Sequence, residues 1–285
     1  MSNTKKIKEF SELQITDDFM FGIVMRRPKY CKKLLEIILD VKISKIEYPE
    51  RQKCIDLGIE AKGIRLDVYV DDGNNTVYDI EMQTKLDANL PKRSRYYQGL
   101  IDLELLDKGM DYTELKKSYV IFICTSDPFG KNAPIYTFEN RCVQTPELPL
   151  GDETNKIFLN ASGVKENIKQ ELKEFLQYIH TGTPTNEFTD GIEKAVQKVK
   201  RDEKWRQTYM VYKLKLDEAR NEGHKAGMEL GHAKTLVEDV EKVMRTLNVS
   251  FEEACRILVY SVEEYEAAKR LIEESKQEKQ SSMCD

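Results

Sequence analysis

Residues 65–83 read RLDVYVDDGNNTVYDIEMQ, and the alternation within them decides the fold. Leu66, Val68 and Val70 alternate with Arg65, Asp67 and Tyr69; after DDGNN, Tyr78, Ile80 and Met82 alternate with Asp79, Glu81 and Gln83. Period-two patterning on both sides of a Gly/Asn/Asp turn predicts a β-hairpin. Placing the apolar sets on one face puts the polar sets together on the other. Two registers satisfy this: one sets Asp67 directly across from Glu81, about 5 Å apart, and the other sets them on a diagonal of about 7 Å. Opposed carboxylates repel, so either pairing weakens a bare sheet unless a cation or a shared proton compensates. Hard carboxylate oxygens suit Mg²⁺ or Mn²⁺ better than zinc, and no His or Cys stands at ligand spacing beside them. The alternative is that Asp67 and Glu81 are the solvated face of an amphipathic hairpin.

Around the hairpin the pattern is that of an α/β protein. Phe19 to Leu39 reads as an opening helix, Ile43 to Tyr48 as a strand, and Lys92 to Leu106 as a helix that follows Pro91. Ser118 to Thr125 is a near-continuous apolar run, which predicts a central strand with neighbours on both sides. Tyr136 to Phe138 and Lys156 to Leu159 read as short edge strands. The helix carrying Leu172, Phe175, Leu176 and Ile179 ends at TGTPT (181–185), so the core is expected to close near residue 185. Within this core, Arg93, Arg95, Tyr97 and Gln98 stand at the opening of the helix after the hairpin. Arg93 and Tyr97 lie one turn apart on one helix face, where a guanidinium and a phenol can grip a DNA backbone; phosphate contacts of this kind position without reading sequence.

From 186 to 285 the chain reads as a helical extension. It is charged from Ile192 to Arg220, meets Gly223, Gly227 and Gly231 at four-residue intervals, and continues as two short amphipathic helices, Val237 to Leu247 and Ser250 to Val259. Glycine costs about 1 kcal/mol per site in an exposed helix, so the glycine repeat is expected to be weakly helical or a flexible joint unless a partner helix packs on it. Ser250 with Glu253 makes a capping box. Acidic residues outnumber basic ones from Phe251 to Glu274, which points away from DNA and toward packing or a homo-oligomer. The polar tail from Ser275 is expected to fray.

Composition narrows the class further. The chain has no run of about 18 apolar residues and no apolar segment behind a basic start, so a soluble, cytoplasmic protein is expected. Its six cysteines, Cys31, Cys54, Cys124, Cys142, Cys255 and Cys284, show no CxxC spacing and read as reduced thiols. A net charge of -5 argues against indiscriminate binding of nucleic acid and leaves room for a local basic groove.

An Asp, a hairpin and Glu-x-Gln at the end of the second strand resemble the core of the PD-(D/E)XK nuclease superfamily, in the Gln-bearing form of the Rpn recombination-promoting nuclease or putative transposase family. TDDFMFGIVMRRPKYCKKLLEIIL (16–39) resembles the family's first helix, KRSRYYQGLIDLELLDKGMDY (92–112) its helix after the site, and SYVIFICTSDPFGKNAPIYTFENRC (118–142) its next strand and loop. The likeness covers roughly residues 15 to 145, with a looser one at the C-terminus. It implies a restriction-endonuclease-like α/β core, a mixed sheet flanked by helices, with an α-helical C-terminal extension. It also implies a metal-dependent DNA endonuclease connected with recombination or transposition: Asp67 and Glu81 as ligands of Mg²⁺ (or Mn²⁺), and Gln83 in the place where the wider superfamily has lysine. The family's first-helix Asp-x-x-Phe falls on Asp18 and Phe21, so Asp18 either joins the metal shell or caps the helix with Thr16 and Asp17. A lysine restored at position 83 is expected to preserve or raise cleavage. Two other readings fit the residues: a nuclease fold kept as a DNA- or partner-binding module, and a scaffold whose helical extension self-associates.

Overall fold

The computed structural model describes residues 7–48, 54–55, 64–65, 68–164 and 166–284, with backbone only at 54–55, 64–65 and 278–284. The stretch expected to be one opening helix is two, α1 (Asp18–Met25) and α2 (Pro28–Leu39). Pro28 is the cause. It opens α2 and holds the preceding Arg27 in an extended conformation, φ -88° and ψ 118°, which no continuous helix permits. Ile43 to Tyr48 does not form the expected strand; Ile43 and Ile46 are buried anchors, and only Glu47 bridges to Asp71. A short antiparallel pair, β1 (Cys54–Ile55) and β2 (Ile64–Arg65), precedes the hairpin.

The hairpin is β3 (Val68–Asp71) and β4 (Thr76–Gln83), antiparallel, with Val68 opposite Ile80 and Asp71 opposite Val77. That is the register in which Asp67 was expected directly across from Glu81; Asp67 itself lies outside the described residues. Asp72 ties the turn: its Oδ1 accepts from the Asn74 and Thr76 amides at 2.7 and 3.1 Å, and its Oδ2 accepts from Tyr78 Oη at 3.1 Å. Gly73 and Asn75 take the positive φ values, 70° and 65°, that such a turn needs and that these residue types tolerate. As expected, Val68, Val70, Tyr78, Ile80 and Met82 are buried together on one face.

After β4 the chain runs through α3 (Leu90–Leu105) into β5 (Lys117–Cys124), which lies parallel to β4. Parallel neighbours require such a crossover, and here the crossover covers the sheet. Leu90, Tyr97, Leu100 and Ile101 of α3 pack on Val77, Val120, Phe122, Cys124 and Phe158. The sheet is completed by β6 (Ile135–Phe138) and β7 (Thr154–Asn160), in the order β3-β4-β5-β7-β6. β5 is central, as its apolar run predicts, and β6 is an edge strand as expected. β7 is not an edge: it lies between β5 and β6, parallel to β5 and antiparallel to β6. Ile157, Phe158 and Leu159 are consecutive and all buried, the mark of a strand covered on both faces.

Four further helices and one long one complete the chain. α4 (Gln170–Thr181) ends on Gly182 in the left-handed conformation, and α5 (Glu187–Lys200) begins on an Asn186/Thr189 capping box, so TGTPT is a tight helix–helix turn. α5 packs on α1 and buries Ile192, Ala195, Val196 and Val199. The first compact unit therefore extends past the expected limit at 185, from Lys8 to Tyr209. Tyr209 closes it by donating from Oη to the Lys8 carbonyl at 2.8 Å, its ring lying against Phe10 and Phe19. Among the described cysteines none is in a disulfide; Cys31, Cys124 and Cys255 are buried.

The second compact unit contains Met210–Asp285. Helix α6 spans Glu203–Leu247, α7 Phe251–Ile257 and α8 Val262–Cys284. Ala233, Leu236 and Val240 of α6 form a small core with Ala254 and Cys255 of α7 and Tyr265 and Ala268 of α8. Ser250 caps α7, accepting from the Glu253 amide at 3.3 Å, which is one half of the expected capping box; the expected pair of helices is a trio, with α8 running through the polar tail to Cys284. The glycine repeat is helical, one of its two expected forms: Gly223, Gly227 and Gly231 lie inside α6, and among the described residues nothing comes within 4 Å of a Cβ built on any of them. Replacing all three by alanine is expected to stabilise the helix by about 0.5–1 kcal/mol per site. The readout is a rise in helical circular dichroism and in the melting temperature of the full chain; a fall in either would mean the glycines serve a contact that alanine blocks.

Candidate active site

The face of β4 that carries Val77, Asp79, Glu81 and Gln83 lies under α3, so it is not the solvated side of an amphipathic hairpin. Asp79 is fully buried and Glu81 is only 5% exposed. Burying a carboxylate in this way is costly unless its surroundings compensate. At the open end of this face lies a pocket of about 510 Å³, lined among others by Asp18, Glu81, Gln83, Lys85, Arg93 and Tyr97.

Asp18 reaches the pocket because it stands at the first position of α1, not at its cap. Asp17 is the cap residue, without a side-chain bond to the helix; its carboxylate instead takes the Lys8 ammonium at 2.8 Å and the Gln14 amide at 2.7 Å. Burial, and then the charge of Asp17, raise the Asp18 carboxyl above the ordinary aspartate range; its own amide, Lys85 and Arg93 pull it back. A desolvated carboxylate of this kind is the form that an arriving cation stabilises.

Arg93 enters from the first turn of α3 and is fixed on several sides. Its Nη1 donates to Gln83 Oε1 at 3.0 Å and to Asp87 Oδ2 at 3.4 Å, and its Nη2 donates to Tyr97 Oη at 2.9 Å. The guanidinium lies 5.5 Å from the Tyr97 ring centre and 5.6 Å from that of Phe122, within cation–π range. Gln83 is fixed in turn, since its Nε2 donates to the Lys85 carbonyl at 2.6 Å. Arginine only donates and a carbonyl only accepts, so these two partners set the orientation of the Gln83 amide. The expected one-turn pairing of Arg93 and Tyr97 is thus present.

A family model for PD-(D/E)XK nuclease family transposases matches residues 29–221. The chain belongs to this family. Its mixed five-stranded sheet flanked by helices is the α/β architecture expected of a PD-(D/E)XK fold. Searches of curated proteins and of solved structures return no match. The tripeptide expected at the site, Glu81-Met82-Gln83, has an acid and, two residues on, glutamine in the place where the wider superfamily is expected to have lysine.

PD-(D/E)XK nucleases generally use divalent metal ions. The donors present suit such an ion: Asp18 and Glu81 bring hard carboxylate oxygens to one pocket, although among the described residues no group of three or more His, Cys, Asp or Glu side chains gathers in ligating geometry. Not every expected residue joins them. Arg95 is exposed elsewhere on α3, two residues from Arg93 and so on another side of the helix. Gln98 is turned inward, 6% exposed, its Nε2 donating to Ser118 Oγ at 2.7 Å and to Asp102 Oδ1 at 3.0 Å. Its placement was readable from spacing, because Leu90, Ser94, Tyr97 and Ile101 mark the inward stripe of α3 and position 98 falls on it. Lys85 and Asp87 were missed. The only cue to them was their place in the short loop between Gln83 and α3.

Proposed function

We propose that this protein is a Mg²⁺- or Mn²⁺-dependent DNA endonuclease, acting in the cytoplasm on DNA during recombination or transposition. The observation that carries this reading is the burial of Glu81 beneath α3 at the wall of a pocket that Asp18 and Arg93 also line. Asp67 and Glu81 would hold the cation, with Asp18 beside them; support for Asp67 comes from the register of the four described pairs that follow it. When bound, the ion supplies Lewis acidity toward the scissile phosphate and a water of lowered pKa. The chain's own part is to hold the phosphodiester: Arg93 and Tyr97 meet its oxygens from the α3 side of the pocket that Asp18 and Glu81 also line. No helix of the described residues is long and apolar enough to cross a membrane.

The test is nicking of supercoiled plasmid by the purified protein with Mg²⁺, with Mn²⁺ and with EDTA. Cleavage with either metal and none with EDTA is the expected result; absence of cleavage under all three conditions sinks the nuclease reading. Self-association belongs to the same proposal, through the helical unit from Met210 onward, where Met210, Val211 and Leu214 are exposed within one turn of α6. Sedimentation of the full chain across concentrations is expected to show a dimer or higher species, and a strict monomer would exclude it.

A further inference from the structure

Hydrolysis of a phosphodiester gathers negative charge on the phosphorus oxygens in the transition state, and a neutral amide at position 83 offers hydrogen bonds without charge. We infer that Arg93 supplies that charge, and that Gln83 is the positioning residue which holds it there. The inference rests on the nuclease reading above.

The geometry of the pair supports it. The 3.0 Å bond from Arg93 Nη1 to Gln83 Oε1 brings a guanidinium from α3 to the strand position where the wider superfamily is expected to have lysine. Arginine has five donors in a planar fork. Three hydrogen bonds to Gln83, Asp87 and Tyr97 leave donors on Nε and Nη2 with no acceptor among the described residues. A planar fork with donors to spare suits phosphate oxygens in a bidentate grip. The guanidinium is also preorganised. The rings of Tyr97 and Phe122 flank it, and Gln83 is locked by the Lys85 carbonyl, so little ordering remains to be done when substrate arrives. Its surroundings keep it charged despite partial burial: Tyr97, Glu81 and Asp87 all favour the cation. Lys85, the other cation at the pocket, is exposed, and its ammonium has no hydrogen-bond acceptor among the described residues.

This role differs from a plain phosphate anchor, which would bind ground state and transition state alike. The experiment compares wild type, Arg93→Ala and Arg93→Lys in single-turnover nicking with Mg²⁺, and in DNA binding with Ca²⁺ in place of Mg²⁺. Arg93→Ala is expected to lose about 10²–10³-fold in rate, the usual cost of removing one transition-state donor. Its DNA affinity is expected to fall by less than about tenfold, one phosphate contact among several. Guanidinium added well below denaturing concentrations is expected to restore part of the Arg93→Ala rate, and Arg93→Lys to keep a measurable fraction of it. Loss of rate and affinity in equal proportion, without rescue, would reduce Arg93 to an anchor and overturn the inference. A wild-type rate in Arg93→Ala would overturn it too, while leaving the nuclease reading in place. Absence of metal-dependent cleavage by the wild type defeats the nuclease reading, and this inference with it.

Discussion

Glu81→Gln is expected to lower metal-dependent nicking by about a thousand-fold or more, because each tenfold is about 1.4 kcal/mol and a bound cation's charge stabilisation is worth several. Glutamine keeps the volume of a side chain that is only 5% exposed, so the pocket does not collapse and no cavity opens under α3. What it removes is the charge that balances a divalent ion. The second readout is thermal. In wild type a cation at tenfold excess over its Kd stabilises the fold by about 1.4 kcal/mol, a rise in Tm of about 3–6 °C for a unit of this size. In Glu81→Gln that rise is expected to vanish, while the Tm in EDTA stays close to wild type. Undiminished nicking together with an undiminished metal-induced shift would remove Glu81 from the site. A variant that melts far below wild type in EDTA would instead show that the carboxylate is there for the fold, through its charge opposite Arg93.

The hairpin and the sharing of faces were legible because period two fixes which side chains lie together, but two registers satisfied that pattern and the pairing of Val68 with Ile80 selects one of them. Alternation does not say what covers each face. The polar set of β4 read as solvated or as a metal site; it is buried because α3 folds back over it, and that follows from the parallel pairing of β4 with β5. The break at Pro28 was available to propensity rules but was outweighed by a long apolar period on either side of it. β7 misled because its apolar core is only three residues long, while its true extent adds polar Thr154, Asn155 and Asn160 to the expected strand. The Arg93–Gln83 contact had no signal at all. The two residues are ten apart, on different elements, and meet only because the loop from Thr84 to Asn89 turns α3 back toward the strand end.

That contact reverses an expectation drawn from sequence. Lysine at position 83 restores the wider superfamily's letter, which on its own predicts equal or faster cleavage. In the structure Gln83 Oε1 is an acceptor for Arg93 at 3.0 Å, and an ammonium in its place can accept nothing. Two like charges about 4 Å apart repel by about 4 kcal/mol at an effective dielectric of 20, before relaxation and salt reduce it. The guanidinium would swing away from Tyr97 and the pocket, or the lysine would turn out toward solvent; either way the preorganised charge is lost. Gln83→Lys is therefore expected to cleave about 10–10²-fold more slowly than wild type, part of the cost of a lost transition-state donor. The double variant Gln83→Lys/Arg93→Ala separates the possibilities, since it removes the repulsion and leaves one cation at the strand end. It is expected to cleave faster than Arg93→Ala and faster than Gln83→Lys, a coupling that only residues in contact can show. Additive losses in the double variant would mean that the two side chains act independently. A Gln83→Lys enzyme faster than wild type would show that the pocket accommodates both cations and that the charge at Arg93 is not the one the reaction uses.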